Sequence, residues 1–139
     1  MKETMLQVGV KVFLRNPDGK YLLLRRSREK YPDIDGEWDI VGGRIVPGSP
    51  LMDNLRREVK EETGLEMTSE PLLIAAQDII RSADRHVVRL SYVGTAEGEP
   101  ILDESENVEY RWISLEELKK LENVDVYVKA ILDKGSLRE

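Results

Sequence analysis

Glu58, Glu61 and Glu62 stand at i, i+3 and i+4 in the run Arg57-Glu58-Val59-Lys60-Glu61-Glu62-Thr63-Gly64-Leu65. On a helix turning about 100° per residue the three carboxylates share one face. Like charges at i,i+4 weaken a helix by a few tenths of a kcal/mol unless something offsets them. A hard divalent cation, which takes oxygen ligands, would do so, and phosphoryl chemistry needs such a cation. The alternative is a solvated helix face on which Arg57 and Glu61 pair at i,i+4.

The wider segment has a recognisable spacing. From Gly43 to Leu65 it resembles the Nudix box: a glycine, five residues, a glutamate, seven residues, then Arg-Glu-U-x-Glu-Glu-x-Gly-U, with U bulky and aliphatic. Gly43, Arg57, Glu58, Val59, Glu61, Glu62, Gly64 and Leu65 fall on the pattern, and Ser49 stands where the first glutamate is usual. Trp38-Asp39-Ile40-Val41-Gly42-Gly43 resembles the Trp-x-x-Pro-Gly-Gly stretch leading into the box, with Val41 at the proline position. The resemblance implies Mg²⁺, with Mn²⁺ as the alternative ion, held by Glu58, Glu61 and Glu62. It also implies water attack on a phosphorus of a nucleoside diphosphate linked to another group.

Other residues follow from what hydrolysis of a diphosphate requires: neutralised phosphates, an activated water and a stabilised leaving group. The Gly42–Gly43 backbone allows close approach, so the Gly43 carbonyl is a candidate metal ligand, a plain turn being the alternative. Arg44 and Arg25 are candidate phosphate forks, and Arg26 competes with Arg25 because strand alternation lets one of them face the site. Trp38, Tyr31 and Phe13 are candidate stacking partners for a base, with core packing the competing role for Trp38 and Phe13. Within the family the general base comes from the box or from a loop outside it. Glu58 is the box candidate, and Glu104 and Glu106, with Asp103, are the loop candidates. Loop carboxylates are usually solvated, and His86 reads as structural or surface.

Departures from the box set further expectations. Ser49 leaves Arg57 without its expected carboxylate, and Asp53, four residues before Arg57, is the candidate replacement. Val46 also lowers the local negative charge.

The elements that must position these groups are readable in outline. Val8 to Leu14 alternates as a half-buried strand. Asn16-Pro17-Asp18-Gly19 is a turn returning into the strand Tyr21 to Arg25. Residues 27–36 read as a loop and Trp38 to Val41 as a short strand. The box helix is expected to start with Ser49 as N-cap and Pro50 at the first helical position. Leu51, Leu55 and Val59 form its apolar stripe and Gly64 stops it. Strands follow over Leu72 to Arg81 and Val87 to Thr95, joined at Ser82-Ala83-Asp84. After an acidic irregular stretch comes a strand from Val108 to Ile113, then a helix opened by the capping box Ser114–Glu117. Val124, Val128, Ile131 and Leu132 mark a last amphipathic helix ended by Gly135.

That order is mixed, so the expected fold is α+β or an α/β/α sandwich; the resemblance sharpens it to a Nudix-type α/β/α sandwich, a mixed sheet between helices with a loop-helix-loop box. The expectation is one domain over residues 1–139. Net charge is −6, which argues against nucleic-acid polymers and anionic membranes as partners. There is no cysteine, which removes disulfides and thiol chemistry. No apolar run approaches ~18 residues and the start is not signal-like, so the expected location is cytoplasmic. The expected reaction leans toward a nucleoside triphosphate, oxidised purines included, giving a nucleotide monophosphate and pyrophosphate. The proline of ADP-ribose enzymes and the tyrosine of dinucleoside polyphosphate enzymes are both missing downstream of the box. The alternatives are an inactive Nudix-fold nucleotide-binding or sensor module and an NDP-sugar pyrophosphatase. Many relatives pair, so a homodimer is an open expectation.

Overall fold

A computed structural model describes residues 3–34 and 36–137. The Met1-Lys2 start and Asp35 of the 27–36 loop lie outside the described residues. The elements run β1 (Met5–Arg15), β2 (Tyr21–Arg26), β3 (Trp38–Asp39), β4 (Val41–Arg44), α1 (Leu51–Thr63), β5 (Leu72–Ser82), β6 (Arg85–Thr95), β7 (Asn107–Ile113), α2 (Leu115–Lys120) and α3 (Val126–Asp133). The sheet is mixed: β1 runs parallel to β6 from Met5↔Arg85 to Arg15↔Thr95, and antiparallel to β4 from Gly9↔Arg44 to Val12↔Val41.

The β1–β2 hairpin keeps one ladder pair, Arg15↔Tyr21. Beyond it β1 turns to β4 and β6, while β2 pairs with β3 and β7. The sheet therefore has two wings, β4-β1-β6-β5 and β3-β2-β7, joined at that pair.

Helices cover both faces. Val10, Val12, Leu22, Leu24 and Tyr92 pack with Leu55 and Val59 of α1. Phe13, Tyr21 and Leu23 pack with Leu118 of α2 and Val128 and Ile131 of α3. The expectation of a half-buried first strand is thus corrected. Val10, Val12, Phe13 and Leu14 are all buried, because a sheet covered on both sides reads as a continuous apolar run.

Three local expectations also change. The N-cap of α1 is Pro50, with no side-chain cap, rather than Ser49. Leu51 is exposed, so the buried face of α1 is Leu55 and Val59 with Asn54 and Thr63. Val124 precedes α3 and bridges to Trp38, and α3 is capped by Asp125, whose carboxylate accepts from the Tyr127 and Val128 N–H groups. The stop at Gly64, in the left-handed region with φ 72°, and the Ser114–Glu117 capping box are as expected. No helix among the described residues is long and apolar enough to cross a membrane.

Candidate active site

A cleft of about 530 Å³ opens between β1, β4, α1 and the start of α3. That is within the range of small-molecule sites, roughly 300–1,000 Å³. At one end Glu58, Glu61 and Glu62 of α1 face Gly42 and Gly43 of β4. The approach is close: a Cβ on Gly43 would stand 2.8 Å from Glu58 Oε2. Glu62 Oε1 accepts from the Gly42 N–H at 3.1 Å, and its Oε2 from Asn107 Nδ2 at 3.4 Å. Burial, with the Glu58 carboxylate beside it, pushes the Glu62 carboxyl up to about 7, although Lys11 and the Gly42 N–H oppose the shift.

The donor set fits a hard divalent cation. It consists of oxygens only, and Glu58 and Glu62 crowd negative charge that a cation would neutralise. Among the described residues, however, no three acidic or histidine side chains already surround a common metal position. Arg57 bonds two of the three carboxylates, donating to Glu58 Oε1 at 2.9 Å and to Glu61 Oε2 at 3.3 Å.

Arg57 is not held by Asp53. Its Nη2 donates to Asn54 Oδ1 at 3.0 Å, and the same oxygen accepts from the Val46 N–H at 2.8 Å. Asn54 Nδ2 in turn donates to the Ser49 and Pro50 carbonyls at 3.0 and 2.8 Å. A buried amide with its capacity used ties the box loop to the helix, where the sequence pattern has lost a carboxylate at Ser49.

Arg25 does not reach the cleft. It pairs with Glu37 and Glu109 at 3.2 and 3.0 Å, and the alternate residue Arg26 lines the cleft instead. Trp38 is buried in the core under the Arg111 guanidinium, 4.7 Å from the ring centre, so it is unavailable for stacking on a base. Phe13 is core as well, whereas Tyr31 lines the cleft. Glu104 is exposed and off the cleft; Asp103 and Glu106 line it. Glu106 bonds Lys30 and Tyr31, and these bonds outweigh burial, which alone would raise its pKa, so the carboxyl lies below its usual range. Arg44 lines the cleft mouth next to Gly43; burial and then the nearby Arg85 and Arg81 lower its pKa. His86 sits on the hairpin with Asp78, 2.7 Å away.

The centre of the cleft holds groups that sequence reasoning missed. Asp39 Oδ2 accepts from Lys11 Nζ at 3.1 Å and from Arg26, and its Oδ1 from Arg89 Nη2 at 3.0 Å. Burial alone would raise the Asp39 pKa, but Arg89, Lys11 and Arg26 overcome it and hold the carboxyl well below the usual carboxylate range. Arg89 also pairs with Asp125 at 3.3 Å and lies over the Tyr127 ring. One signal could have found them: Lys11, Asp39 and Arg89 are single charges inside apolar strand runs, and a charge so placed needs a buried partner.

The comparisons agree with this architecture. The NUDIX domain profile matches residues 5–133. The chain therefore belongs to the NUDIX domain family. It is 36% identical over 73 residues to the human (Homo sapiens) 8-oxo-dGDP phosphatase NUDT18, covering 52% of this chain and 21% of that protein. It is 38% identical over 52 residues to the nucleoside triphosphatase NudI of Escherichia coli K12, covering 36% of this chain and 35% of that one. These matches thus span about a fifth and about a third of the two curated relatives. Over the whole fold the chain is similar to the MutT protein of Methanosarcina mazei Go1, with TM-score 0.79, 27% identity and coverage of 96% and 95%.

Proposed function

We propose that this protein hydrolyses a diphosphate bond in a nucleoside diphosphate linked to a further group, with Mg²⁺ or Mn²⁺ held by Glu58, Glu61, Glu62 and the Gly43 carbonyl. A nucleoside triphosphate, cleaved to a monophosphate and pyrophosphate, is the leading substrate. The observation that carries this reading is the convergence of the three α1 carboxylates and the Gly42–Gly43 backbone at one end of a nucleotide-sized cleft. When bound, the ion supplies charge neutralisation for the phosphates and lowers the pKa of water.

The chain's own groups do the rest. The water oxygen forms a bond to phosphorus, the bridging oxygen leaves with the electron pair, and the proton goes to a carboxylate. Glu58, the box carboxylate against Gly43 at this end of the cleft, suits that last role. Glu106, stabilised as an anion by Lys30 and Tyr31, suits it less. Arg57 orients Glu58 and Glu61, and Arg44 at the cleft mouth meets a phosphate oxygen. The polar floor of Asp39, Arg89 and Asp125 beside Tyr127 receives the nucleoside. The similarity to a nucleoside triphosphatase and an 8-oxo-dGDP phosphatase supports a nucleotide substrate. We read the chain as one domain acting in the cytoplasm.

One observation favours a second reading, a nucleotide-binding module without turnover: Arg57 occupies Glu58 and Glu61, and among the described residues no ready metal cluster stands free. A screen of phosphate and pyrophosphate release across nucleotides with Mg²⁺ or Mn²⁺ separates the two. Turnover that falls by roughly 100-fold or more in Glu62→Gln, since such an ion contributes several kcal/mol, supports the hydrolase. Tight nucleotide binding with no turnover of any substrate supports the module.

A further inference from the structure

The main cleft continues past Arg44 into an adjoining hollow of about 260 Å³. The two share Arg44, Ile79, Arg81 and Val87, and Arg85 closes the far side of the hollow. Its size is below the roughly 300 Å³ at which sites for whole ligands begin, so it suits one group of a longer ligand.

The charge in the hollow is mainly positive: Arg44, Arg81 and Arg85 line it with a single carboxylate, Asp84. Arg25, Arg26, Arg57 and Arg89 each have a carboxylate within ion-pair distance. Among the described residues no carboxylate lies within that distance of Arg44, Arg81 or Arg85. Asp84 is bonded by the Ser82 hydroxyl at 2.6 Å and is held below its usual range mainly by that bond, with Arg85 adding to it beyond ion-pair distance, and Asp78 is engaged by His86 at 2.7 Å. Arg44 instead bonds Gln7, and Arg81 lies 6.0 Å from the Tyr127 ring centre. In a chain of net charge −6, three guanidinium groups face one hollow with a single carboxylate among them, an excess of positive charge that an added anion would neutralise. The cleft thus has a carboxylate pole at α1 and a guanidinium pole on β4 and the β5–β6 hairpin.

We propose that Arg44, Arg81 and Arg85 form a subsite for a second anionic group of the substrate, beyond the bond that is cleaved, so that ligands with a terminal phosphate are selected. This rests on the hydrolase reading for its substrate, though the anion subsite itself does not need turnover. Arg81 and Arg85 act on binding of the distal group, while the α1 carboxylates act on the bond that breaks. Selection therefore shows in KM and not in kcat.

Two measurements test it. The first is calorimetric binding of inorganic triphosphate in chelator-containing buffer by the wild type, Arg81→Gln/Arg85→Gln, Arg85→Gln and Glu62→Gln. The double variant is expected to bind about tenfold or more weakly, and the single variant to fall between, each charge-assisted contact being substantial. Glu62→Gln is expected to bind no less tightly than the wild type. The second is the KM of a nucleoside triphosphate against its diphosphate, a ratio expected to favour the triphosphate and to collapse in the double variant. Unchanged melting temperatures exclude unfolding as the cause, and Arg85→Gln, at an exposed position, provides the reading if the double variant does not fold. Arginine-dependent triphosphate binding without turnover of any nucleotide leaves the subsite standing and removes the hydrolase. Turnover with equal affinities and equal KM ratios in wild type and variants overturns the subsite. So does failure of the wild type to bind triphosphate.

Discussion

Asn54 does work that its residue type does not advertise. Its amide joins the Val46 N–H, Arg57 and the Ser49 and Pro50 carbonyls, so it sets both the start of α1 and the direction of the box arginine. Removing it leaves the Val46 N–H, in a half-buried hydrogen bond, and the Arg57 guanidinium without their acceptor. Asn54→Ala is therefore expected to lower stability by about 1–3 kcal/mol in denaturant unfolding, with loss of activity as Arg57 reorients. Asp53→Ala, which removes no such contact, should stay within about 0.5 kcal/mol. Equal effects of the two would show that Arg57 is held as the i,i+4 spacing suggested. Glu62 carries a second residue-level consequence. Its folded carboxyl keeps a proton to about 7, whereas an unfolded glutamate loses it near about 4.3. The metal-free protein accordingly becomes less stable as pH rises between those values, since the folded state binds the extra proton. A cation must displace that proton, so stabilisation by Mg²⁺ in thermal melts is expected to be small at pH 6 and to grow through pH 7 to 8. A pH-independent Mg²⁺ shift over that window would remove Glu62 from the metal's environment.

At the scale of elements, β4 has two adjacent glycines with different duties. Gly42 has φ 143°, and a Cβ there would fall 2.0 Å from the Val10 carbonyl oxygen of β1. That contact is with backbone in the centre of the sheet, which cannot yield. Gly42→Ala is expected to cost more than about 2 kcal/mol and to be read as a large drop in melting temperature. Gly43 instead faces the Glu58 carboxylate, the far end of a side chain that can swing. Gly43→Ala should keep stability within about 1 kcal/mol and lose turnover, because the displaced carboxylate leaves its place in the site. The reverse pattern, with Gly43→Ala unfolding the protein and Gly42→Ala leaving it intact, would contradict the β1–β4 register. The same register explains why the Gly-Gly pair is needed: β4 must lie flat against β1 while α1 closes on its other side.

Across the whole molecule, Asp39 joins the two wings. Its carboxylate takes Lys11 from β1, Arg26 from β2 and Arg89 from β6, and Arg89 passes the link to Asp125 at the start of α3. Asp39 is depressed in the folded state, so its contribution is present above the unfolded value of about 3.9 and is lost as pH falls below it. Acid unfolding that begins below about pH 4 is the expected result. Asp39→Asn, which leaves three cations facing a neutral amide, should lose about 3–5 kcal/mol at pH 7 and flatten the acid limb of the stability curve. A variant with wild-type stability at pH 7 would show that the three cations find solvent without Asp39.

How much was legible beforehand depends on the reach of each interaction. Local rules sufficed for the Gly64 stop, the Ser114–Glu117 box and the hairpin turn at 82–84, because those contacts lie within a few residues of one another. The glutamate spacing on α1 and the family pattern were likewise written in the chain. Arg25 against Arg26 was not, since alternation names a pair of faces and only the pairing of β2 with β3 and β7 says which face meets the cleft. Trp38 could not be separated from a stacking role until Arg111 was found above it. Asp39, Arg89 and Asp125 are 36 to 86 positions apart in the chain, and a buried charge finds its partner through the fold and not through spacing. The order of residues thus determined the helices, the turns and the chemistry available. Packing of two wings and three helices decided which of those groups meet, because ion pairs and clefts are set by distance in space.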